Sequence, residues 1–246
     1  MKKNYCSKKL SELDYSIIIP AAGSGRRMKS YGPISLVQIK PNVTLVDYQL
    51  KAIRKKLRPK EIIIVVGYHA NKIMNYLPND IIKVENERYE HTNVVRSIGM
   101  ALRACTTNNV LIIYGDLAFN DATLEIDHLE RSAVITDNSN ITSADEVGCV
   151  IHEDKIENIF YNIEPRWAQV VYIREPVLSV FKKICWDANK AKYFGYEVLN
   201  ELLTRNIVIQ NYTPPNIKTI DIDTSKDLQV AKSILGKSLS SGLSSI

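Results

Sequence analysis

The chain has 246 residues, 45% of them hydrophobic, which suits one α/β domain with a sizeable core and excludes a fibrous or disordered chain. Its net charge of +5 comes from scattered lysines with local excesses at Lys2-Lys3, Lys8-Lys9 and Arg54-Lys55-Lys56, not from a basic stripe interleaved with aromatics, so no nucleic-acid partner is expected. The 4 cysteines (Cys6, Cys105, Cys149, Cys185) form no Cys-x-x-Cys pair and no apolar run approaches a membrane span, which points to a reduced, cytoplasmic protein without zinc knuckle, disulfide framework or membrane anchor.

In chain order, residues 1–14 read as a flexible polar leader. "SIIIP", from Ser16, reads as a buried strand that opens into the small, doubly arginine-bearing turn "AAGSGRRM". A strand that ends in small residues and leads into a helix lets backbone N–H groups approach an anion, and the helix N-terminus adds a favourable dipole. The loop lacks the third glycine of the dinucleotide fingerprint and the Gly-Lys-Ser/Thr of a P-loop, so the arginines would do the work of the P-loop lysine. Taken alone, an ordinary tight turn explains it equally well.

"TLVDYQLKAIRKKL" places Leu45, Tyr48, Ala52, Ile53 and Leu57 on one helical face. "EIIIVVG", "DIIKVEN" and "NVLIIYGD" read as strands, with a helix over 93–103. Their hydrophobics are continuous rather than alternating, as in strands buried on both faces, so a parallel sheet covered by helices is expected. Asp116 follows a glycine at the carboxyl end of a strand, where open α/β sheets bind ligands; it can hold Mg²⁺ or simply cap a loop.

Beyond Asp116 the pattern loosens into "AVIT", "VGCVIHEDKIENIF" and "AQVVYI", then helices over 175–184 and 195–203. This suggests a mixed acceptor-binding half, about 119–236, lying on a nucleotide-binding half, about 15–118. "IDIDTSKDLQVAKSIL" closes the fold as strand then helix, with Thr224 and Asp227 at capping-box spacing. One of Asp221 and Asp223 is expected to join Asp116, the other only to lead the helix. Residues 237–246 read as a disordered tail, and His69, His91, His128 and His152 share no metal-binding spacing.

Together these segments resemble the nucleotidyltransferases with the glycosyltransferase-A type fold. "IIIPAAGSGRRM" is similar to their signature strand and loop, and "YGPISLVQI" lies where they carry Pro-Lys-x-Leu. "ENERYEHTNVVRSIGMAL" is similar to their Asn-x-x-Tyr…Asn-Asn…Ser-Leu segment, "YGDLAF" to their first metal aspartate, and "IDIDTSKDL" to their closing Asp-rich segment. The resemblance implies a three-layer, Rossmann-like α/β fold: a mixed, mostly parallel sheet with helices on both faces, as one domain over 15–236. "VVGYHANKI", the Asn86, Tyr89, Asn93 and Ser97 pattern and the chain length look most like the small cytidylyltransferases acting on phosphocholine and related phosphorylated alcohols. Sugar-1-phosphate nucleotidyltransferases share most of the same marks.

By that resemblance the backbone of Ala21, Ala22 and Gly23 lines base and ribose, and Gly25, Arg26 and Arg27 cradle the triphosphate beside Ser24. Asn86, Asn93 and Ser97 face the nucleotide, while Asp116 and Asp221 coordinate Mg²⁺. Trp167 and Tyr196, with Tyr161 and Trp186, offer a cation–π cage for a quaternary ammonium, or Glu197 an acidic contact, although packing explains most such aromatics. The implied reaction is attack by an acceptor phosphate oxygen on the α-phosphorus of a nucleoside triphosphate, CTP favoured, releasing pyrophosphate; it needs alignment and charge neutralisation, not a protein nucleophile. Ile34 stands where the family carries lysine, a loss worth about 10²–10³ in rate unless Lys29, Lys40 or Arg26 substitutes, with Lys29 the first candidate. Val94 and Ser225-Lys226 are lesser departures. The rival readings are a nucleotide-binding protein with degenerate catalysis and a glycosyltransferase of the same fold; a homodimer is left open.

Overall fold

The computed structural model describes residues 8–139 and 146–237, the side chains of residues 26, 29, 236 and 237 excepted. Its first half alternates strands and helices: β1 (Ser16–Ala21), a short pair β2 (Gln38–Lys40) and β3 (Val43–Thr44), α1 (Leu45–Lys56), β4 (Glu61–Val66), α2 (Ala70–Tyr76), β5 (Ile82–Glu85), α3 (Val94–Ala104) and β6 (Asn109–Ile113). β5, β4, β1 and β6 lie side by side and parallel, with Ile18 of β1 level with Ile63 of β4 and Ile112 of β6.

The continuous apolar runs have a two-sided cause. Ile17 and Ile19, with Ile62, Ile64 and Leu111, pack into a core under α1 and α2; Ile18, with Ile63, Val65 and Ile112, packs on the opposite face under α3. A strand side chain points to alternate faces, so only a sheet covered on both sides buries every position. α1 starts at a reciprocal cap in which the Thr44 hydroxyl accepts from the Asp47 N–H at 3.2 Å and the Asp47 carboxylate from the Thr44 N–H at 3.0 Å. α2 was not anticipated from the sequence. It is short, begins at His69 in the left-handed region (φ 53°) without a side-chain cap, and buries only Ala70 and Ile73.

The second half adds β7 (Leu117–Phe119), β8 (Ala133–Asp137), β9 (Val147–His152), β10 (Lys155–Tyr161), β11 (Arg166–Arg174), α4 (Val177–Trp186), α5 (Gly195–Thr204), β12 (Gln210–Tyr212), β13 (Thr219–Asp221) and α6 (Ser225–Lys237). The main sheet has nine strands in the order β5-β4-β1-β6-β11-β8-β12-β10-β9, all but β10 and β11 running in one direction. The mixed, mostly parallel sheet with helices on both faces is therefore the architecture. α3, α4 and α5 cover one face. β9 and β10 turn through Glu153 and Asp154, both at positive φ, the tight geometry that matches strand twist. No described helix is long and apolar enough to cross a membrane.

β13 pairs with β7 outside the main sheet, and α6 packs with this ribbon and with Met28, Ile34, Ile39 and Leu45 in a third apolar cluster. Thr224 and Asp227 form the expected cap at the start of α6. The expected loose leader is corrected over its described part: Leu10 is fully buried and its N–H donates to the Leu129 carbonyl at 2.7 Å. Residues 1–7 and 238–246, the rest of the expected leader and nearly all of the expected tail, lie outside the described residues.

Candidate functional site

A cleft of about 750 Å³ opens where β1, β5 and β6 end, and β11, β13 and the start of α5 supply its other walls. Parallel strands deliver their carboxyl ends to one edge, so the loops after them meet there. Of the residues singled out from the sequence, Ala22, Gly23, Arg27, Asn86, Asn93, Ser97, Asp116, Trp167, Tyr196 and Asp221 line this cleft; Ala21, Ser24, Gly25 and Glu197 do not.

The glycine-rich turn owes its shape to the apolar cluster beneath it. Gly25 has φ 50°, and a Cβ there would lie 2.7 Å from Cγ1 of Ile34. Ile34 is 7% exposed and packed with Met28 and Ile220, so position 34 anchors the loop from below and does not face the cleft. The helix that the turn opens is a 3-10 helix over Arg26–Tyr31. Arg27 is largely exposed and reaches across to donate to the Asp223 carboxylate at 3.3 Å, tying the loop to the segment after β13. Lys40, one candidate substitute cation, is engaged elsewhere: its ammonium donates to the Leu235 carbonyl at 2.7 Å, in the last turns of α6. The side chains of Arg26 and Lys29 lie outside those described.

Asp116 sits in a turn held from two sides. The Gly115 N–H donates to the Pro20 carbonyl at 3.1 Å, and a Cβ on Gly115 would lie 2.6 Å from that of Ala21, so only glycine permits the approach. From α1, the fully buried Gln49 amide donates to the Tyr114 and Leu117 carbonyls at 2.9 and 2.8 Å, bracketing Asp116. Asp116 Oδ1 is buried with no hydrogen-bond partner among the described residues. Burial, then the Asp223 charge, pushes its carboxyl up to about 6. Burial, then the Asp116 charge, pushes Asp221 up to about 8 against the opposing pull of Arg166.

The expectation that only one of Asp221 and Asp223 reaches the site is corrected. Asp221 ends β13 and Asp223 follows two residues later, and both line the cleft. Two further residues carried no sequence signal. Gln169 donates its amide to Asp221 from a bulge in β11. Arg166, 4% exposed, donates to Asp137 and to the Thr219 carbonyl, both at 2.7 Å, and pairs with Glu146 at 2.8 Å. Asp137 in turn accepts from the Thr219 N–H at 2.8 Å, so this network straps β13, and Asp221 with it, to the main sheet.

On the expected nucleotide wall, the Asn86 amide donates to the Ser97 hydroxyl at 3.1 Å, and Asn86 Oδ1 accepts from the Arg88 N–H. They set the wall's shape. Asn93 caps α3 through a bond from the Val94 N–H at 2.8 Å. On the other wall, Trp167 meets Tyr114 edge-on at 5.4 Å, and Tyr196 lies between Tyr161 and Phe194 at 5.5 and 5.9 Å. The expected acceptor contact from Glu197 is corrected: its carboxylate accepts from the Phe194 N–H at 2.7 Å as the cap of α5. Trp186 is likewise outside the cleft, its indole donating to the Gly99 carbonyl at 2.9 Å.

A divalent cation fits the carboxylate end of this cleft. Removing two protons from mutually repelling buried carboxylates is costly without one, and the orphaned Asp116 oxygen is a ready ligand. Among the described residues no group of three His, Cys, Asp or Glu is placed to hold a metal by itself, so water or phosphate oxygens would complete the shell, the arrangement Mg²⁺ favours.

Comparison with known proteins bears on the fold and the family. The bifunctional protein GlmU of Azotobacter vinelandii is 30% identical over 119 residues, 48% of this chain and 25% of its own length, so the chain spans about a quarter of the curated relatives it matches. The CTP:phosphocholine cytidylyltransferase LicC of Streptococcus pneumoniae superposes with a TM-score of 0.75 at 19% identity, covering 91% of this chain and 100% of its own. The inositol-1-phosphate CTP transferase of T. maritima gives 0.73 at 18% identity, covering 92% and 97%. These structural likenesses establish a shared fold. Residues 17–189 match the family model for the MobA-like NTP transferase domain, and the chain belongs to that nucleotidyltransferase family.

Proposed function

We propose that this protein transfers a nucleoside monophosphate, CMP favoured, from a nucleoside triphosphate to a small phosphorylated alcohol, with release of pyrophosphate. The observation that carries the reading is the convergence of Asp116, Asp221, Asp223 and Arg27 at one cleft whose other wall is aromatic. Arg27 suits the β- or γ-phosphate, because its guanidinium is exposed and its ion pair among the described residues, with Asp223, is one that a triphosphate can replace. Asp116 and Asp221 would hold Mg²⁺, which when bound neutralises charge gathering on the phosphates. The acceptor's phosphate oxygen forms the new bond to the α-phosphorus as the bond to pyrophosphate breaks. Trp167, Tyr161 and Tyr196 suit an acceptor with a cationic or apolar head. A sugar 1-phosphate acceptor, or another base, is the alternative within the same chemistry. Free thiols at Cys105, Cys149 and Cys185 support a reduced, cytoplasmic setting.

The second reading is a nucleotide-binding protein without turnover, and burial of Ile34 favours it, since no cation from that position can reach the phosphates. A screen of pyrophosphate release, with four nucleoside triphosphates against phosphorylated alcohols and sugar 1-phosphates in Mg²⁺, separates the two. The expected result is turnover with CTP and a phosphorylated alcohol. Nucleotide binding by calorimetry with no release across the whole panel would favour the second reading.

A further inference from the structure

The geometry points to Gln169 as the residue that orients Asp221 for a divalent cation, a positioning role resting on the reading of this cleft as the nucleotidyl-transfer site. β11 pairs regularly with β8 from Val170 to Tyr172 and again at Trp167, but between Trp167 and Val170 the register shifts. Gln169 occupies that bulge at φ 52°. In the left-handed region glycine fits freely and asparagine is tolerated, whereas a longer side chain is strained. Strain kept at a strand bulge beside a cleft indicates that the side chain has work there.

Its contacts identify that work. The Gln169 amide donates to Oδ2 of Asp221, while its own Oε1 is buried with no partner among the described residues. One carboxylate oxygen is thereby fixed and the other left for a cation, in the way outer hydrogen bonds fix metal ligands elsewhere. The free Oε1 is a buried acceptor awaiting a donor that arrives with bound substrate. The backbone reinforces the placement, because the Gln169 carbonyl accepts from the Tyr114 N–H at 3.3 Å and so links the bulge to the turn carrying Asp116.

Two substitutions test the role without depending on turnover. Gln169→Gly removes the side chain where the backbone suits glycine, and Gln169→Asn keeps an amide one methylene too short to reach Asp221. Binding of Mn²⁺ alone is followed by loss of the free-ion paramagnetic resonance signal, and folding by thermal unfolding in chelator. Both variants should bind Mn²⁺ about tenfold or more weakly than wild type, in line with outer-ligand losses, with a melting midpoint unchanged or a few degrees higher. Equal Mn²⁺ affinity in Gln169→Gly and wild type would overturn the role of Gln169 while leaving nucleotidyl transfer standing. No Mn²⁺ binding by wild type would overturn both.

Discussion

At the scale of single residues, Ile34 is a packing residue beneath the glycine-rich turn. With its side chain under Gly25 and among Met28, Val37 and Ile220, it supplies apolar support to the turn at the position where the sequence resemblance implied a lysine. Ile34→Lys should therefore place an ammonium in an apolar cluster and cost about 3 kcal/mol or more in denaturant unfolding, with no gain in pyrophosphate release. A variant of full stability and raised turnover would mean that side chain can reach the phosphates. The carboxylates make a second residue-scale prediction. Asp116 and Asp221 are raised to about 6 and about 8, so the native protein keeps protons that the unfolded chain has already lost. Their contribution to stability is full below the unfolded carboxylate range and is lost as pH rises through those values. In chelator, stability should fall between about pH 4 and pH 8, and Asp221→Asn should flatten the upper part of that fall. A stability that rises over the same interval would contradict it.

At the scale of elements, the strap between β13 and the main sheet is the least replaceable part of the site. Arg166, Asp137 and Thr219 exchange their hydrogen bonds away from water, so Arg166→Met should strand the Asp137 carboxylate and cost about 3–5 kcal/mol in guanidinium unfolding. A loss under about 1 kcal/mol would mean that β13 is held by packing alone. The same elements show which parts of the fold the sequence exposes. β1, β4 and β6 were legible because both their faces are covered and their apolar runs are continuous after a polar first residue. Asp116 was legible because a glycine and an acid follow such a strand. Gln49, Arg166 and Gln169 were not, since each is an ordinary polar residue in its own segment whose meaning lies in partners 20 or more positions away. Glu197 misled for the opposite reason: its nearest useful partner is three residues back, in its own cap.

At the scale of the whole molecule, two halves contribute different chemistry to one cleft. The parallel half delivers the glycine-rich turn and Asp116; the later strands deliver Asp221, Gln169 and the aromatic wall. The proposed transfer requires both carboxylates, Asp116 and Asp221, where these segments meet. The most direct measurement is pyrophosphate release by wild type, Asp116→Asn and Asp221→Asn with CTP, the best acceptor and Mg²⁺, after circular dichroism has shown all three folded. Each variant should lose on the order of 10²–10³ in kcat, and wild-type rates in both would contradict the account.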